Sequence, residues 1–544
     1  MVAMNKQQEL LHRLERLNEI GVALSAEHNN QRLIEMILLG AKEITNADGG
    51  TLYTMTNDNH LKFEIMRTDS LELALGGSTG LDIPFSPLPL YLKDNKPNLT
   101  MVAAYAVLKE CTVNIADAYE AEGFDFSGTR NFDKVTGYRS KSFLTVLMKN
   151  HENEIIGVLQ LINALDPETG EIIPFSKENQ RLVESLASQA AVALTNYKLI
   201  VGLKQLFESF IELIADAIDE KSPYTGGHCQ RVPELAMMMA KAACQSEIGE
   251  LKEFDLTEQE MYELRIAAWL HDCGKVTTPE AVMDKATKLS TIYDRIDLIE
   301  QRFELLKKQA ECDSLQKQIQ AVREGQHLEV VSLQERFDNL SKKLDEDCEF
   351  LKRMNYGTEM MTDKEQSRVR EIASYPFKDK SGNVVAFLTS DEVYNLNITK
   401  GTLTPEERAI INSHSQVTIN MLEALPYPKD LKRVPEYAGN HHERMDGHGY
   451  PRGLTRAQMS VPARIMGIAD IFEALTSWDR PYKKAKTLSE SLNILGRMKL
   501  DNHVDPDLFD MFIREKIYLQ YARRFLEPAQ IDEVDESLIP GYQA

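Results

Sequence analysis

The residues of this sequence best suited to chemistry are histidines and aspartates concentrated in its second half. Seven of the twelve histidines fall between His228 and His448, an interval that holds less than half of the 544 residues. Imidazole nitrogens and carboxylate oxygens are ligands that divalent transition metals prefer. The distribution therefore points to a metal site assembled from separate segments of the chain.

One adjacent pair, His271 and Asp272, ends the apolar run AAWLHD. Burying such a pair is costly unless something compensates it, and metal cations are a natural compensation. Neighbouring helix residues diverge by roughly 100°. The pair is therefore better placed to contact two ions, with the carboxylate bridging them, than to chelate one. His441 and His442 present the same geometry.

Each of these features also has an ordinary structural interpretation. A His-Asp pair can cap a helix end, and a lone His414 within a helix can be a satisfied core histidine. Adjacent histidines in a loop can simply lie on the surface. The metal interpretation depends on the joint occurrence of three segments: WLHDCGK, GNHHERMDGHGYP and IMGIADIFEALTSWDRPYKK.

Together these segments resemble the HD-GYP subgroup of the HD phosphohydrolases over about Leu206 to Leu526. HDCGK is similar to the family's HD-x-GK, HHERMDGHGYP to its HHE-xx-DG-x-GYP, and ADIFEALTSWDRPYK to its AD-xx-[DE]ALT-x-RPY. The resemblance implies an all-α domain that hydrolyses a cyclic dinucleotide with bound divalent ions.

The resemblance also assigns roles to individual residues. The implied metal ligands are His228, His271, Asp272, His414, His441, His442 and Asp470. The implied catalytic residues are His271, Asp272 and Lys275, and the implied substrate-binding residues are Lys275, Arg444, Tyr450, Arg480 and Lys483. Some members hold a third ion through a Glu at the position of Tyr224, so two divalent ions, iron or manganese first and zinc next, are expected here.

Cyclic di-GMP is the expected substrate, and 3′,3′-cyclic GMP-AMP is the alternative, since close relatives divide between them. The expected product is a linear dinucleotide, a mononucleotide, or both. A catalytically weak scaffold that acts through protein interactions and a hydrolase of nucleoside phosphates are further alternatives. The intact ligand positions argue against the first of these, and the GYP segment argues against the second.

The N-terminal part predicts mixed α and β structure. Helices are expected around 14–24, over Gln31–Ile44 and from Ser176 to about Phe210, with strands over 51–55, 61–66, 142–148 and 155–161. This order, with YRSKSFLTVLMKNHENEIIGVLQLINA and FSKENQRLVESLASQAAVAL, resembles a GAF domain. Asn163 and Phe175 match the pattern of nucleotide-binding members, but Ala164 and Asn179 do not. A dimerising regulatory module with an unknown ligand or none is therefore expected.

The predicted fold class is α+β: a GAF-like sandwich with an antiparallel sheet, followed by an all-α HD-GYP domain that carries a helical-hairpin insertion. In the insertion, apolar residues spaced by three and four from Ile296 to Leu351 break near Gly325, which predicts two antiparallel helices. The hairpin is either a solvated insertion or a partner-binding or dimerising arm. The predicted bounds are 1–197 for the sensor domain, 198–220 for a connecting helix, 206–526 for the HD-GYP domain, 288–378 for the insertion and 527–544 for a C-terminal tail.

Composition and charge narrow the classes of protein to which the chain could belong. The net charge of -22 argues against a general nucleic-acid binder, which needs a basic surface. No run of 18 apolar residues and no secretory signal is found, so no membrane segment is expected. Six cysteines without a CxxC pair fit a reducing interior. The expected protein is a cytoplasmic homodimer.

Overall fold

The computed structural model describes residues 2–92, 95–221, 227–357, 360–379, 381–477 and 486–543. The chain divides into two units, residues 1–206 and residues 207–544. In the described part of the chain, no helix combines the length and the apolar content needed to cross a bilayer.

Unit 1 is built on an antiparallel sheet. Its strands are β1 (Ala47–Met55), β2 (His60–Thr68), β3 (Leu73–Gly76), β4 (Leu88–Pro89), β5 (Val113–Ile115), β6 (Phe143–Lys149), β7 (Ile155–Leu165) and β8 (Ile172–Ile173). Its helices are α1 (Val2–Ala26), α2 (Asn30–Thr45), α3 (Val102–Lys109), α4 (Ser127–Thr136) and α5 (Lys177–Lys221), which also contains the boundary between the units. The strand order is β3-β2-β1-β7-β6-β5, with β4 on β2 and β8 on β7.

Both faces of this sheet are covered. The main core joins β1, β6 and β7 to the apolar sides of α2 and α5, with Ile37, Leu52, Leu159 and Leu186 each fully buried. Smaller clusters on the sheet include Ala103 and other residues of α3. The predicted antiparallel sandwich is confirmed, and the four predicted strands lie within four residues of β1, β2, β6 and β7. The first helix begins twelve residues before its predicted start, and α3, α4 and the shorter strands were not predicted.

Unit 2 is mostly helical. Its helices are α6 (His228–Cys244), α7 (Glu258–Leu270), α8 (Glu280–Met283), α9 (Ile296–Arg323), α10 (His327–Asn355), α11 (Asp363–Ala373), α12 (Ser390–Leu396), α13 (Pro405–Glu423), α14 (Val434–Gly439), α15 (Val461–Thr476), α16 (Leu488–Leu500), α17 (Pro506–Arg514) and α18 (Ile517–Phe525), and its two strands, β9 (Pro376–Lys378) and β10 (Val384–Ala386), pair antiparallel. One large core unites α6, α7 and α14–α18, with Val232, Leu264, Met466 and Phe512 fully buried.

A second, separate core lies inside the inserted region. It joins α9 and α10 to α11 and α12 through Phe303, Leu351, Val369, Phe387 and Leu396. The two long helices form the predicted hairpin, which turns between Arg323 and His327. This core continues to Leu396, which lies beyond residue 378, the predicted end of the insertion.

The last residues pack against unit 2. Gln530 donates from Nε2 to the carbonyl of Thr476 at 2.8 Å, and the Lys499 ammonium donates to the carbonyl of Gly541 at 2.6 Å. Ile539 is buried. The segment predicted as a C-terminal tail is therefore bound to the surface of the helical unit.

A candidate metal centre in the helical unit

The HD segment is positioned by a helix end and a tight turn. A capping box at Thr257 starts α7, which ends at Leu270, and a 3-10 turn over Cys273–Thr277 follows Asp272. A Cβ on Gly274 would lie 2.0 Å from the carbonyl oxygen of His414. Only glycine permits this approach, which brings the turn against α13 and its histidine.

All seven predicted metal ligands lie in one buried cluster. Two triplets offer ligand atoms within 4.8 Å of one another: His228, His271 and Asp272 form the first, and His414, His441 and His442 form the second. We call them the first and second triplets. Asp470 contacts both, since its Oδ1 lies 3.2 Å from His228 Nε2 and its Oδ2 lies 3.8 Å from His442 Nδ1.

Asp272 stands between the triplets, with one oxygen facing each. Its Oδ2 lies 3.3 Å from His271 Nε2 and 3.4 Å from His228 Nε2. Its Oδ1 lies 3.4 Å from His414 Nε2 and 4.0 Å from His441 Nε2. Ligand atoms that share one ion at bond lengths of about 2.1 Å lie roughly 3–4 Å apart. The donor set thus fits two cations joined by the Asp272 carboxylate.

Two polar atoms of the cluster reinforce this fit. Asp272 Oδ1 and His441 Nε2 are buried and have no hydrogen-bond partner among the described residues. Buried polar atoms in native proteins are nearly always satisfied, so an unsatisfied pair calls for an explanation. A cation between them would supply it, because both atoms carry lone pairs.

Backbone hydrogen bonds set the tautomer of three rings. Each Nδ1 contacts the carbonyl oxygen three residues earlier: His271 contacts Ala268 at 2.8 Å, His414 contacts Ile411 at 2.5 Å and His441 contacts Ala438 at 2.5 Å. A carbonyl oxygen only accepts, so Nδ1 must carry the proton. In the neutral ring the lone pair then lies on Nε2, which is the atom that faces the cluster.

The first triplet has a supporting pair that the sequence analysis missed. His228 Nδ1 hydrogen-bonds Glu473 Oε2, and Arg231 Nε donates to Glu473 Oε1 at 2.7 Å. Burial works to raise the pKa of Glu473, but His228 and Arg231 outweigh it and hold the pKa at about 2. A signal for Glu473 was available, because it occupies the [DE] position of the AD-xx-[DE]ALT motif. The signal for Arg231 was helical spacing, because it follows His228 by three residues.

The two triplets differ in their electrostatics. In the second, burial lowers the pKa of His442 to about 4 and that of His441 well below its usual range, so both rings are neutral near pH 7. In the first, burial also works to lower the pKa of His271, but Asp272 and Asp470 raise it to about 9. The first triplet therefore attracts positive charge, and the second presents neutral imidazole ligands.

The predicted substrate-binding residues divide into three groups. Lys275 Nζ lies 2.5 Å from Asp272 Oδ2, and the ring of Tyr450 lies 4.8 Å from that of His442. Arg444 instead holds Asp446 with contacts of 3.0 and 2.6 Å and also donates to the carbonyl of Asp501. Arg480 and Lys483, like Tyr224, lie outside the described residues.

The GYP segment is folded around a buried carboxylate. Glu443 accepts hydrogen bonds from the amides of Arg452 at 2.7 Å and Leu454 at 2.8 Å. A Cβ on Gly449 would lie 2.4 Å from the amide nitrogen of Arg444. The motif's acid and glycine therefore build the loop that places Tyr450 beside His442.

In unit 1, the buried polar residues near Asn163 bond one another and the backbone. Asn163 Oδ1 accepts from the amides of Lys141 at 2.7 Å and Ser142 at 3.2 Å, and its Nδ2 donates to the carbonyl of Arg139 at 2.8 Å. Asp133 accepts from the amide of Ser140 at 2.9 Å. We call Asp133, Ser140, Ser142 and Asn163 the unit 1 polar cluster. The side chain of Asn163 is thus engaged in joining β7 to the segment before β6.

Two protein families match parts of the chain. The GAF domain model matches residues 29–194, and the HD domain model matches residues 387–508. The chain therefore carries a GAF domain followed by an HD domain, which confirms both resemblances. The HD match includes His414, His441, His442 and Asp470, whereas His228, His271 and Asp272 precede it.

Several curated proteins share sequence with the chain. A 3′3′-cGAMP-specific phosphodiesterase 1 from Vibrio cholerae is 48% identical over 81 residues, 15% of this chain and 19% of that protein. A cyclic di-GMP phosphodiesterase from Pseudomonas aeruginosa is 36% identical over 114 residues, 21% of this chain and 26% of that protein. A cyclic di-GMP phosphodiesterase from Thermotoga maritima is 35% identical over 125 residues, 23% of this chain and 33% of that protein. The matched segments span a third or less of these three relatives.

Proposed function

We propose that this chain is a metal-dependent phosphodiesterase of the HD-GYP type that hydrolyses a cyclic dinucleotide, with cyclic di-GMP as its first substrate and the GAF domain as its regulator. The observation that carries the proposal is the arrangement at Asp272, whose two oxygens face two separate groups of histidines. The names of the relatives support the substrate class.

The donor set assigns residues to two divalent ions. His228, His271 and Asp470 would hold one, His414, His441 and His442 would hold the other, and Asp272 would bridge them. Such a pair supplies activated water and neutralises charge on a phosphate under attack. Histidine with carboxylate ligands favours iron or manganese, with zinc next.

Lys275 is the protein's own source of positive charge beside this pair. Burial works to lower its pKa, but Asp272 and Asp470 outweigh it and raise the pKa, so the ammonium remains charged. Its side chain retains 22% exposure, which leaves it accessible to a ligand. We assign it to the non-bridging oxygens of the scissile phosphate, where charge develops during hydrolysis.

Tyr450 defines the rim of the site. Its ring is tilted by 36° against the ring of His442, and the loop around Glu443 fixes that position. An aromatic face at this distance from the cluster suits stacking with a nucleobase. Arg480 and Lys483 remain proposed contacts for the dinucleotide, and Arg444 is the weakest of the proposed contacts, because Asp446 already engages it.

Anaerobic purification, metal analysis and product identification test the function. The wild-type chain should contain about two Fe or Mn ions and convert cyclic di-GMP to a linear dinucleotide, to a mononucleotide, or to both. Absence of turnover in fully metallated protein would refute the proposal. Faster turnover of 3′,3′-cyclic GMP-AMP in parallel assays would reassign the substrate, an alternative that the Vibrio cholerae relative supports.

We also propose that the chain forms a homodimer through α5. Val192, Leu199, Leu203 and Leu206 are 48–68% exposed and fall on one seam of alternating three and four spacing, with Asn196 at the remaining position. A single Asn in such a seam favours two parallel strands in register. Light scattering should give a dimer, and Leu199→Glu with Leu203→Glu should give a monomer; a monomeric wild type would refute the assignment.

The inserted hairpin is the proposed site for a protein partner. Leu315, Ile319 and Val322 are 47–54% exposed on one side of α9 near its end. Leu315→Glu with Ile319→Glu, which changes only this exposed side of α9, should abolish binding of a partner and leave turnover unchanged. The six cysteines are unpaired, which supports our proposal of a reducing, cytoplasmic environment.

A further inference from the structure

We infer that Lys221 is a positioning residue for the turn that carries Lys275, an inference that rests on the proposed phosphodiesterase function. Lys221 is the last residue of α5. Its Nζ lies 3.1 Å from the carbonyl oxygen of Lys275 and 2.8 Å from that of Thr278, and it also donates to the carbonyl of Val276. An ammonium has three donors, so these three carbonyls use all of them.

The contacted carbonyls come from the end of the 3-10 turn Cys273–Thr277 and its cap at Thr278. The last carbonyls of a helical turn lack partners within it, and a cation there is favourable. The Lys275 carbonyl also accepts from the Thr278 amide at 3.0 Å, so Lys221 adds a second hydrogen bond there and supplies hydrogen bonds to the carbonyls of Val276 and Thr278. It does so from a different helix, which ties the turn to α5.

The opposite side of the turn is fixed to α13. The amide of Gly274 donates to Thr418 Oγ1 at 3.0 Å, and Thr418 Oγ1 donates to the carbonyl of His271 at 3.1 Å. The turn therefore lies between α13, which bears the metal ligand His414, and the ammonium of Lys221. Loss of the Lys221 contacts would leave one side of the turn held and release the other.

These contacts allow the placement of Lys275 to be disturbed without disturbing the placement of Asp272. Asp272 precedes the turn and contacts ligands of both triplets, so the cluster itself holds its carboxylate. Lys275 lies within the turn and depends on it for placement. Removing the Lys221 ammonium should therefore misplace Lys275 and lower kcat, with little effect on metal content or KM.

The test compares full-length Lys221→Met, Lys221→Arg and the control Lys198→Met, which changes an exposed cation on α5. With cyclic di-GMP and with bis(p-nitrophenyl) phosphate, Lys221→Met should lower kcat by about ten- to a hundredfold, the range expected for displacement of a group by about 1 Å. Lys221→Arg should restore most of that loss because its guanidinium keeps several donors. Metal content and KM should stay at wild-type values, and Lys198→Met should match wild type.

Unchanged kcat in Lys221→Met would overturn the inference, as would a loss of metal equal to the loss of kcat without rescue by arginine. If wild type turns over neither substrate, the proposed function fails, and hydrogen exchange then decides the positioning role by itself. Amides of residues 273–278 should exchange faster in Lys221→Met than in Lys198→Met, and equal rates would refute it. Lys221→Gln replaces Lys221→Met if the latter does not fold.

Discussion

Two buried polar clusters, one in each unit, contrast in how their atoms are satisfied. In the unit 1 polar cluster, the side chains of Asn163 and Asp133 are bonded to backbone amides and a carbonyl. In the metal-centre cluster, His441 Nε2 and Asp272 Oδ1 are buried without partners in the described part of the chain. The first arrangement satisfies its own polar atoms, whereas the second has two unpaired atoms that the proposed metal ions would satisfy.

The largest effect is expected from a variant that removes Asp272, the residue between the two triplets. The metal-centre cluster comprises these triplets and Asp470. His271→Ala with Asp272→Ala should lower turnover of cyclic di-GMP by more than about a thousandfold, because both ions lose a ligand. Bound metal, measured by mass spectrometry, should fall with it, and circular dichroism should show a folded protein. His327→Ala, an exposed histidine at the start of α10, is the matched control. If the double variant turned over cyclic di-GMP like wild type, the metal-centre cluster would not be the site of hydrolysis, and its contrast with the unit 1 polar cluster would be wrong.

The unit 1 polar cluster should respond in stability instead. Asn163→Ala removes three hydrogen bonds, leaves the amides of Lys141 and Ser142 unpaired and places alanine at a φ of 56°, which together should cost about 2–4 kcal/mol of unfolding free energy. Asn150 accepts from two backbone amides in an exposed turn, so Asn150→Ala should cost less than about 1 kcal/mol. Denaturant unfolding checks both. An unchanged midpoint in Asn163→Ala would show that this cluster does not stabilise unit 1.

The sequence predicted much of this contrast and missed some of it for identifiable reasons. The motifs predicted which residues meet at the candidate metal centre, because the ligand residues and their spacing within each motif can be read directly from the sequence. Glu473 occupies the [DE] position of the AD-xx-[DE]ALT motif, but its contact with Arg231 joins residues 242 positions apart, and the motif alone does not pair them. Arg444 stays a predicted substrate contact, and the sequence did not indicate that Asp446, two residues away in the chain, already engages its guanidinium.

A smaller effect is expected from changing Glu473, which supports the first triplet through His228. Glu473→Gln keeps the size of the side chain but removes the charge opposite His228, and loss of such a second-layer partner typically weakens metal binding by about 10- to 100-fold. Competition with a metal chelator measures it. Glu212→Gln, on the exposed side of α5, should bind metal like wild type. Equal affinities in the two variants would show that Glu473 only packs.

Lys288, in the core of the inserted subdomain, is an intermediate case between the hydrogen-bonded unit 1 polar cluster and the metal-centre cluster with its unpaired atoms. Its buried ammonium donates to the carbonyl of Leu396 at 3.1 Å and contacts Met361 Sδ at 3.7 Å, and no ion pair with it is found among the described residues. Burial lowers its pKa to about 8. The unfolded chain, with a pKa of about 10.4, then binds more protons between those values, and stability rises as pH increases from about 8 to 10.4.

The Lys288→Met variant isolates this contribution. It cannot titrate, so its unfolding free energy should exceed that of wild type by about 1–3 kcal/mol at pH 7, and the difference should shrink toward pH 10. Exposed Lys364→Met should leave the pH profile of wild type unchanged. If the difference in unfolding free energy between Lys288→Met and wild type did not change with pH, hydrogen bonds alone would be enough to stabilise the buried ammonium. The contrast between the two clusters would then depend on missing partners and not on missing charge.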